Sequence, residues 1–284
     1  MINIGLVLSG GMVKGAYQIG ALQAIKEFFK HDTVCCVSAS SIGVLNAYSY
    51  LTDGLHKATE LWKESANKKQ RNFATDILKN GILQSSIVNI LSDVEINNPF
   101  YISLVDIKKR QLIYVDLGKV GLESLKYYLQ ASVSLPFFNQ AVKIRNNFFY
   151  DGGIVDNIPV YPILKHKIDY IICIYFDKHN FIFENDYIDN KIIKINFSDN
   201  KLISSSICFT ESSIEHMLDE GYVKAKSILK CIFQNGTEDS SYINSRINDL
   251  NSLNTNRSIR ITGDILVNNM NKISRKFLKK TEIF

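Results

Sequence analysis

Two glycine-bearing turns and one acidic turn hold the residues best suited to chemistry. The first is Gly10-Gly11-Met12-Val13-Lys14-Gly15, between an apolar run and a helical one. N–H groups at a glycine-rich helix start point outward and attract anions. A phosphate-binding P-loop needs Gly-Lys-Ser/Thr, but Lys14 is followed by Gly15 and Ala16. A dinucleotide turn needs a third-position glycine, where Met12 stands, and an acidic residue about 20 positions on, which Asp32 loosely supplies. An oxyanion hole needs only the N–H groups. A purely structural turn is a fourth reading.

The second turn is Ala39-Ser40-Ser41-Ile42-Gly43, after an apolar run and before a helical one. It has the form of a nucleophile elbow with alanine for the first glycine. Small residues are needed two before and two after the nucleophile, because strand and helix backbones nearly touch there. Gly43 therefore selects Ser41 over Ser38 and Ser40. The competing reading is a serine N-cap. The third turn is Tyr150-Asp151-Gly152-Gly153, continuing to Asp156-Asn157-Ile158-Pro159. Asp-Gly-Gly forms a turn in its own right. It also presents Asp151 on a kink, placed to take a serine proton directly. His31, His56, His166, His179 and His216 lie in no comparable motif. A Ser41–Asp151 dyad fits better than a triad through an unmarked histidine.

The elements that must position these residues follow from periodicity. Residues 4–8 read as a buried strand, 14–29 as a helix, 33–37 as a second strand and 44–51 as a helix. This strand–loop–helix alternation belongs to a parallel α/β sheet. Residues 54–98 are polar and helical, either a lid or an outer layer. Residues 101–106 and 111–116 read as a hairpin, 122–132 as a helix ending before Pro136, and 147–150 as a strand into the acidic turn. Residues 170–176 read as a buried strand, 192–197 as a weaker one and 211–233 as a long helix. The final forty or so residues are rich in Asn and Ser. No repeat or clean linker interrupts the chain, which points to one domain.

Composition agrees with a globular protein: 284 residues, 46% hydrophobic and 21% charged. That excludes disordered, collagen-like and disulfide-stapled classes. The five cysteines show no CxxC spacing. Cys35, Cys36 and Cys173 sit in apolar runs and read as buried free thiols, which favours a reducing, cytoplasmic compartment. The first residues lack a basic n-region, so no signal peptide is expected. The apolar run 170–176 is far short of the ~20 residues that span a bilayer.

Taken in order, the three turns resemble those of the patatin-like phospholipases. The matching stretches are Ser9 to Leu22, Ser38 to Ala47, Ala131 to Phe138, Asp151-Gly152-Gly153 with Asp156-Asn157-Ile158-Pro159, and Leu218 to Ala225. The resemblance spans roughly residues 3–230. It implies a three-layer α/β/α sandwich with a mostly parallel central sheet. Residues 1–235 would form the acyl hydrolase domain. Residues 236–284 would form a polar, basic C-terminal extension, packed on the domain or appended to it.

The implied activity is phospholipase A-type ester hydrolysis of a phospholipid or other acyl-ester lipid. It implies no metal, no cofactor and no nucleic acid. Carried over, Ser41 is the nucleophile and Asp151 the general base, with the backbone of Gly10, Gly11 and Met12 as the oxyanion hole. Lys14 and Gly15 match the loop's supporting or phosphate-contacting positions. Ala39, Gly43, Gly152 and Gly153 complete the elbow and the acidic turn. Desolvation by Phe137 and Phe138 would raise the Asp151 pKa. Phe100, Tyr101, Phe148 and Phe149 are further candidates for an apolar mouth.

Two residues depart from the pattern. Met12 and Ala39 stand where glycine is expected, and Met12 is strained if the position needs positive φ. The alternatives are a catalytically impaired lipid-binding relative, with Met12 as the lesion, and a Ser-His-Asp esterase.

The net charge of +5 is concentrated at the C-terminus. Arg257, Arg260, Lys272, Arg275, Lys276, Lys279 and Lys280 are opposed there only by Asp264 and Glu282. On a helical wheel Leu266, Met270, Ile273 and Phe277 share one face, with Lys272, Arg275, Lys276 and Lys279 opposite. Residues 266–280 thus read as a basic amphipathic helix, resting on an anionic membrane or docked on the fold.

Overall fold

The computed structural model describes residues 2–67, 87–136, 138–197, 210–253 and 257–260. Phe137, Cys208, part of the 54–98 segment and the basic stretch 266–280 lie outside them.

β1 (Ile4–Leu8), β2 (Val34–Ala39) and β7 (Tyr170–Tyr175) form the centre of the sheet. They are apolar on both faces, as strands covered on both sides must be. β3 (Phe100–Asp106), β4 (Gln111–Asp116), β5 (Val142–Ile144), β6 (Asn147–Asp151) and β9 (Ile192–Asn196) complete an eight-stranded sheet. Its order is β5-β6-β3-β2-β1-β7-β9, with β4 also paired to β3. The β1–β2, β1–β7, β2–β3 and β7–β9 pairs are parallel, and the pairs involving β4, β5 and β6 are antiparallel. The fold is α/β, a mostly parallel sheet flanked by helices, as expected.

One face carries the larger core. Ile4, Leu6, Leu8, Ile172 and Ile174 point to it. α1 (Gly15–Phe28), α2 (Ile42–Leu51), α3 (Leu55–Asn67), α4 (Leu122–Ser132), α5 (Glu211–Ile232) and α6 (Ser240–Ser252) pack on it with their apolar sides. Trp62 of α3 is buried there, so the described part of the 54–98 segment is outer layer. α1 and α5 cross in backbone contact. A Cβ on Gly20 would strike the Leu218 carbonyl, and one on Gly221 the Tyr17 carbonyl. The opposite face is covered more lightly. Ile158, Val160 and Ile163, from a segment with short helical turns, pack there with Phe183 of β8 (Asn180–Phe183). β10 (Arg257–Arg260) pairs in parallel with β8.

β3 is the strand that organises the site. β4 occupies the whole of one edge, with Tyr101–Asp106 opposite Gln111–Asp116. The other edge is shared. β2 takes its first part, Val37–Ala39 on Phe100–Ile102, and β6 its second, Phe149–Asp151 on Leu104–Asp106. β2 runs parallel to β3 and β6 antiparallel. Their C-terminal ends therefore point at each other, with Ser103 alone between the two pairings.

Two expectations about side chains need correction. Phe100 and Phe149 are core residues rather than parts of an apolar mouth, while Phe138 and Phe148 are exposed. Cys35 is only half-buried, and the free thiols of Cys36 and Cys173 are the fully buried ones.

Candidate active site

The two strand ends bring Ser41 and Asp151 together. Beyond Ala39 the chain turns sharply, and Ser41 takes φ 52 and ψ −131 as the N-cap of α2. Its side chain caps no helix N–H, which removes the simple N-cap reading. Ser40 N–H bonds Leu8 O, and Gly43 N–H bonds Ser40 O. A Cβ on Gly43 would lie 2.7 Å from the carbonyls of both Leu8 and Ser9. The helix start is thus pressed onto the end of β1, and only glycine fits there.

Asp151 ends β6 and is fully buried. Its Oδ1 accepts Gly153 N–H at 2.8 Å, and its own N–H is held by Ser134 O at 2.8 Å. Burial pushes the carboxyl pKa up to about 7, against smaller lowering effects of the Ser41 hydroxyl and the Gly153 N–H. Oδ2 has no donor in hydrogen-bond geometry among the described residues. The Ser41 hydroxyl is near enough to the carboxyl to favour its ionised form. Of the two aromatic residues expected to desolvate Asp151, Phe138 is 43% exposed and Phe137 lies outside the described residues. Ser103 Oγ donates to Ser40 Oγ at 2.9 Å, tying β3 to the elbow behind the pair.

The glycine loop lies against the same point. A Cβ on Gly10 would sit 2.8 Å from Ser41 Cβ. Gly10 N–H is already given to Asn157 O at 3.2 Å, and Asn157 Nδ2 donates back to Gly10 O at 3.1 Å. Among the described residues no hydrogen bond engages the N–H groups of Gly11 and Met12. Met12 takes φ 50, the conformation its glycine-like position implied. Gly11 packs on the Phe176 ring, and Lys14 Nζ lies 5.9 Å from that ring's centroid. Gln18 Nε2 bonds Ser9 O at 2.8 Å, and Asn46 Nδ2 bonds both Gly15 O and Gln18 Oε1 at 2.9 Å. These buried amides brace the loop against α2.

His166 bonds the Tyr101 hydroxyl at 3.0 Å. Gln18, Asn46, Asn157 and Ser103 were not read as site residues from the sequence. The first three lie inside the quoted motifs, so polar residues within those runs were the available signal.

The family model for patatin-like phospholipases matches residues 6–164, more than half of the chain. The chain belongs to the patatin-like phospholipase family. The family match contains the glycine loop, the elbow and the acidic turn. Lysophospholipase NTE1 from two strains of Cryptococcus neoformans var. neoformans serotype D is 24% identical over 192 residues, covering 61% of this chain and 11% of that protein. The chain thus spans about a tenth of the length of these curated relatives. Among solved structures, VipD from Legionella pneumophila aligns with a TM-score of 0.44 at 12% identity, over 99% of this chain and 76% of that one. The type III effector protein ExoU aligns with a TM-score of 0.42 at 16% identity, over 80% of this chain and 53% of that one. Among the described residues no helix is long and apolar enough to cross a membrane.

Proposed function

We propose that the protein is a lipid acyl hydrolase working through a Ser41–Asp151 dyad on a phospholipid or another acyl-ester lipid. One arrangement carries the reading. A serine at positive φ starts a helix beside a fully buried carboxyl whose pKa is near 7. An ordinary aspartate is too weak a base near neutrality, and burial removes that handicap. Asp151 takes the Ser41 proton as Oγ attacks the ester carbonyl carbon. The Gly11 and Met12 N–H groups receive the oxyanion, helped by the positive end of α2. Collapse of the tetrahedral intermediate expels the alcohol, which takes the proton from Asp151. Water then attacks the acyl-enzyme, with Asp151 as base, and releases the fatty acid and Ser41. Family membership supports a lipid ester as substrate, and the lysophospholipase named among the relatives supports a phospholipid class.

A fluorophosphonate probe should label the wild type and spare Ser41→Ala. Asp151→Asn should fold and fail to release fatty acid from phospholipid vesicles. Wild-type activity should rise with pH through about 7 as Asp151 loses its proton. Equal labelling of wild type and Ser41→Ala would refute the nucleophile, and full activity of Asp151→Asn would refute the base.

A further inference from the structure

Asp156 lies five residues after the proposed base and is fully buried. Its Oδ1 accepts Arg260 Nη2 at 2.9 Å, and its Oδ2 accepts the Tyr114 hydroxyl at 2.6 Å. Arg260 comes from β10, 104 residues further along the chain and outside the stretch matched by the family model. The guanidinium is only 15% exposed and lies 5.2 Å from the Phe181 ring centroid. Its backbone carbonyl is held by Glu184 N–H at 2.9 Å, so β10 is fixed at both backbone and side chain.

Asp156 joins three pieces of the site. Its N–H bonds Gly152 O at 3.0 Å, within the turn that presents Asp151. Its carbonyl accepts Ser103 Oγ at 3.4 Å, and that hydroxyl also bonds Ser40 beside the nucleophile. Asn157, the next residue, makes the two-way bond with Gly10. A buried carboxylate stripped of its paired cation is driven toward water. For Asp156, whose cationic partner among the described residues is Arg260, that movement would pull on the acidic turn and the glycine loop together.

We infer that Arg260 is a positioning residue of the site, and that β10 clasps the acidic turn and the glycine loop into their working geometry through Asp156. The inference rests on the dyad reading for its effect on catalysis, while the clasp itself is testable without activity. A misplacement of about 1 Å costs on the order of 100-fold in rate, so a partial loosening should be easy to measure.

The test uses the full chain with Arg260→Gln and Arg260→Lys. In Arg260→Gln, hydrogen exchange at the Gly10, Gly153 and Asp156 amides should quicken about tenfold or more, with β1 and β7 unchanged. Fluorophosphonate labelling per folded molecule and kcat for ester hydrolysis should fall at least as far, with KM held. Arg260→Lys keeps the charge without the planar fork and should recover part of both. If Arg260→Gln does not fold, Arg260→Lys decides alone, with slower labelling and faster exchange expected. Wild-type exchange and labelling in a variant whose only change is a lower Tm would overturn the inference, leaving a merely stabilising ion pair. If the wild type takes no label, the dyad reading fails, and the amide exchange still decides the clasp.

Discussion

At the scale of residues, the site combines strain with burial. Ser41 at φ 52 and Met12 at φ 50 adopt backbone conformations that side chains disfavour, each at a cost on the order of 1–2 kcal/mol. Met12 adopts the positive φ that glycine would take there, so the departure from glycine is absorbed as backbone strain. Asp151 bears a different cost. Its carboxyl ionises at the ordinary value of 3.8 when exposed and at about 7 in the folded protein. Below 3.8 both states hold the proton and nothing is lost. Between the two values the unfolded chain has released a proton that the folded chain keeps, so stability falls as pH rises. Above 7 the loss is complete, on the order of 4 kcal/mol as an upper figure. Asp151→Asn should therefore be more stable than wild type at pH 8, with a gain that shrinks toward pH 4. Denaturant melts at several pH values measure this, and a gain constant with pH would contradict it.

At the scale of elements, the crossing of α1 and α5 is set by Gly20 and Gly221, each against the other helix's backbone. Gly221→Val should separate the helices and destabilise the fold by about 1–3 kcal/mol. α1 begins directly after the glycine loop, so labelling of Ser41 should fall as well. A denaturation midpoint equal to wild type would refute the close crossing. The elements legible in the sequence were those with a strong period or a forced turn. The β3–β4 hairpin, α4, β7 and α5 appear where apolar spacing placed them. α6 was hidden in a stretch rich in Asn and Ser, because its apolar side is short: Ile243 and Ile247 are buried and Leu250 partly so. β5 is three residues long and β8 four, too short for a period to register. Ser41 and Asp151 were legible because their turns demand glycine at fixed offsets. The meeting of β2 and β6 on one edge of β3 was not, since it depends on pairing between distant segments that leaves no local mark. Arg260 was hidden for the same reason, within what read as part of a solvated basic stretch.

At the scale of the whole molecule, the basic C-terminus divides in two. Arg260 is spent on Asp156, and Arg257 lies 3.8 Å from the buried carboxylate of Asp189. Lys272, Arg275, Lys276, Lys279 and Lys280 lie outside the described residues, and their contact with an anionic membrane is a proposal from the sequence. Each cation near such a surface contributes about 1 kcal/mol at most. Removing 268–284 keeps Arg260 in place and should weaken binding to anionic vesicles in low salt; unchanged binding would dismiss the membrane role. The reach of Arg260 also bears on how the protein is born. A chain is made from its N-terminus, so the proposed nucleophile, glycine loop and base all exist about a hundred residues before Arg260, the side chain proposed to align them. A copy cut before β10 would hold Ser41, Asp151 and the glycine loop, the proposed reacting groups, without the proposed clasp. On the proposed reading, lipid hydrolysis would stay weak until β10 pairs with β8 and Arg260 reaches Asp156.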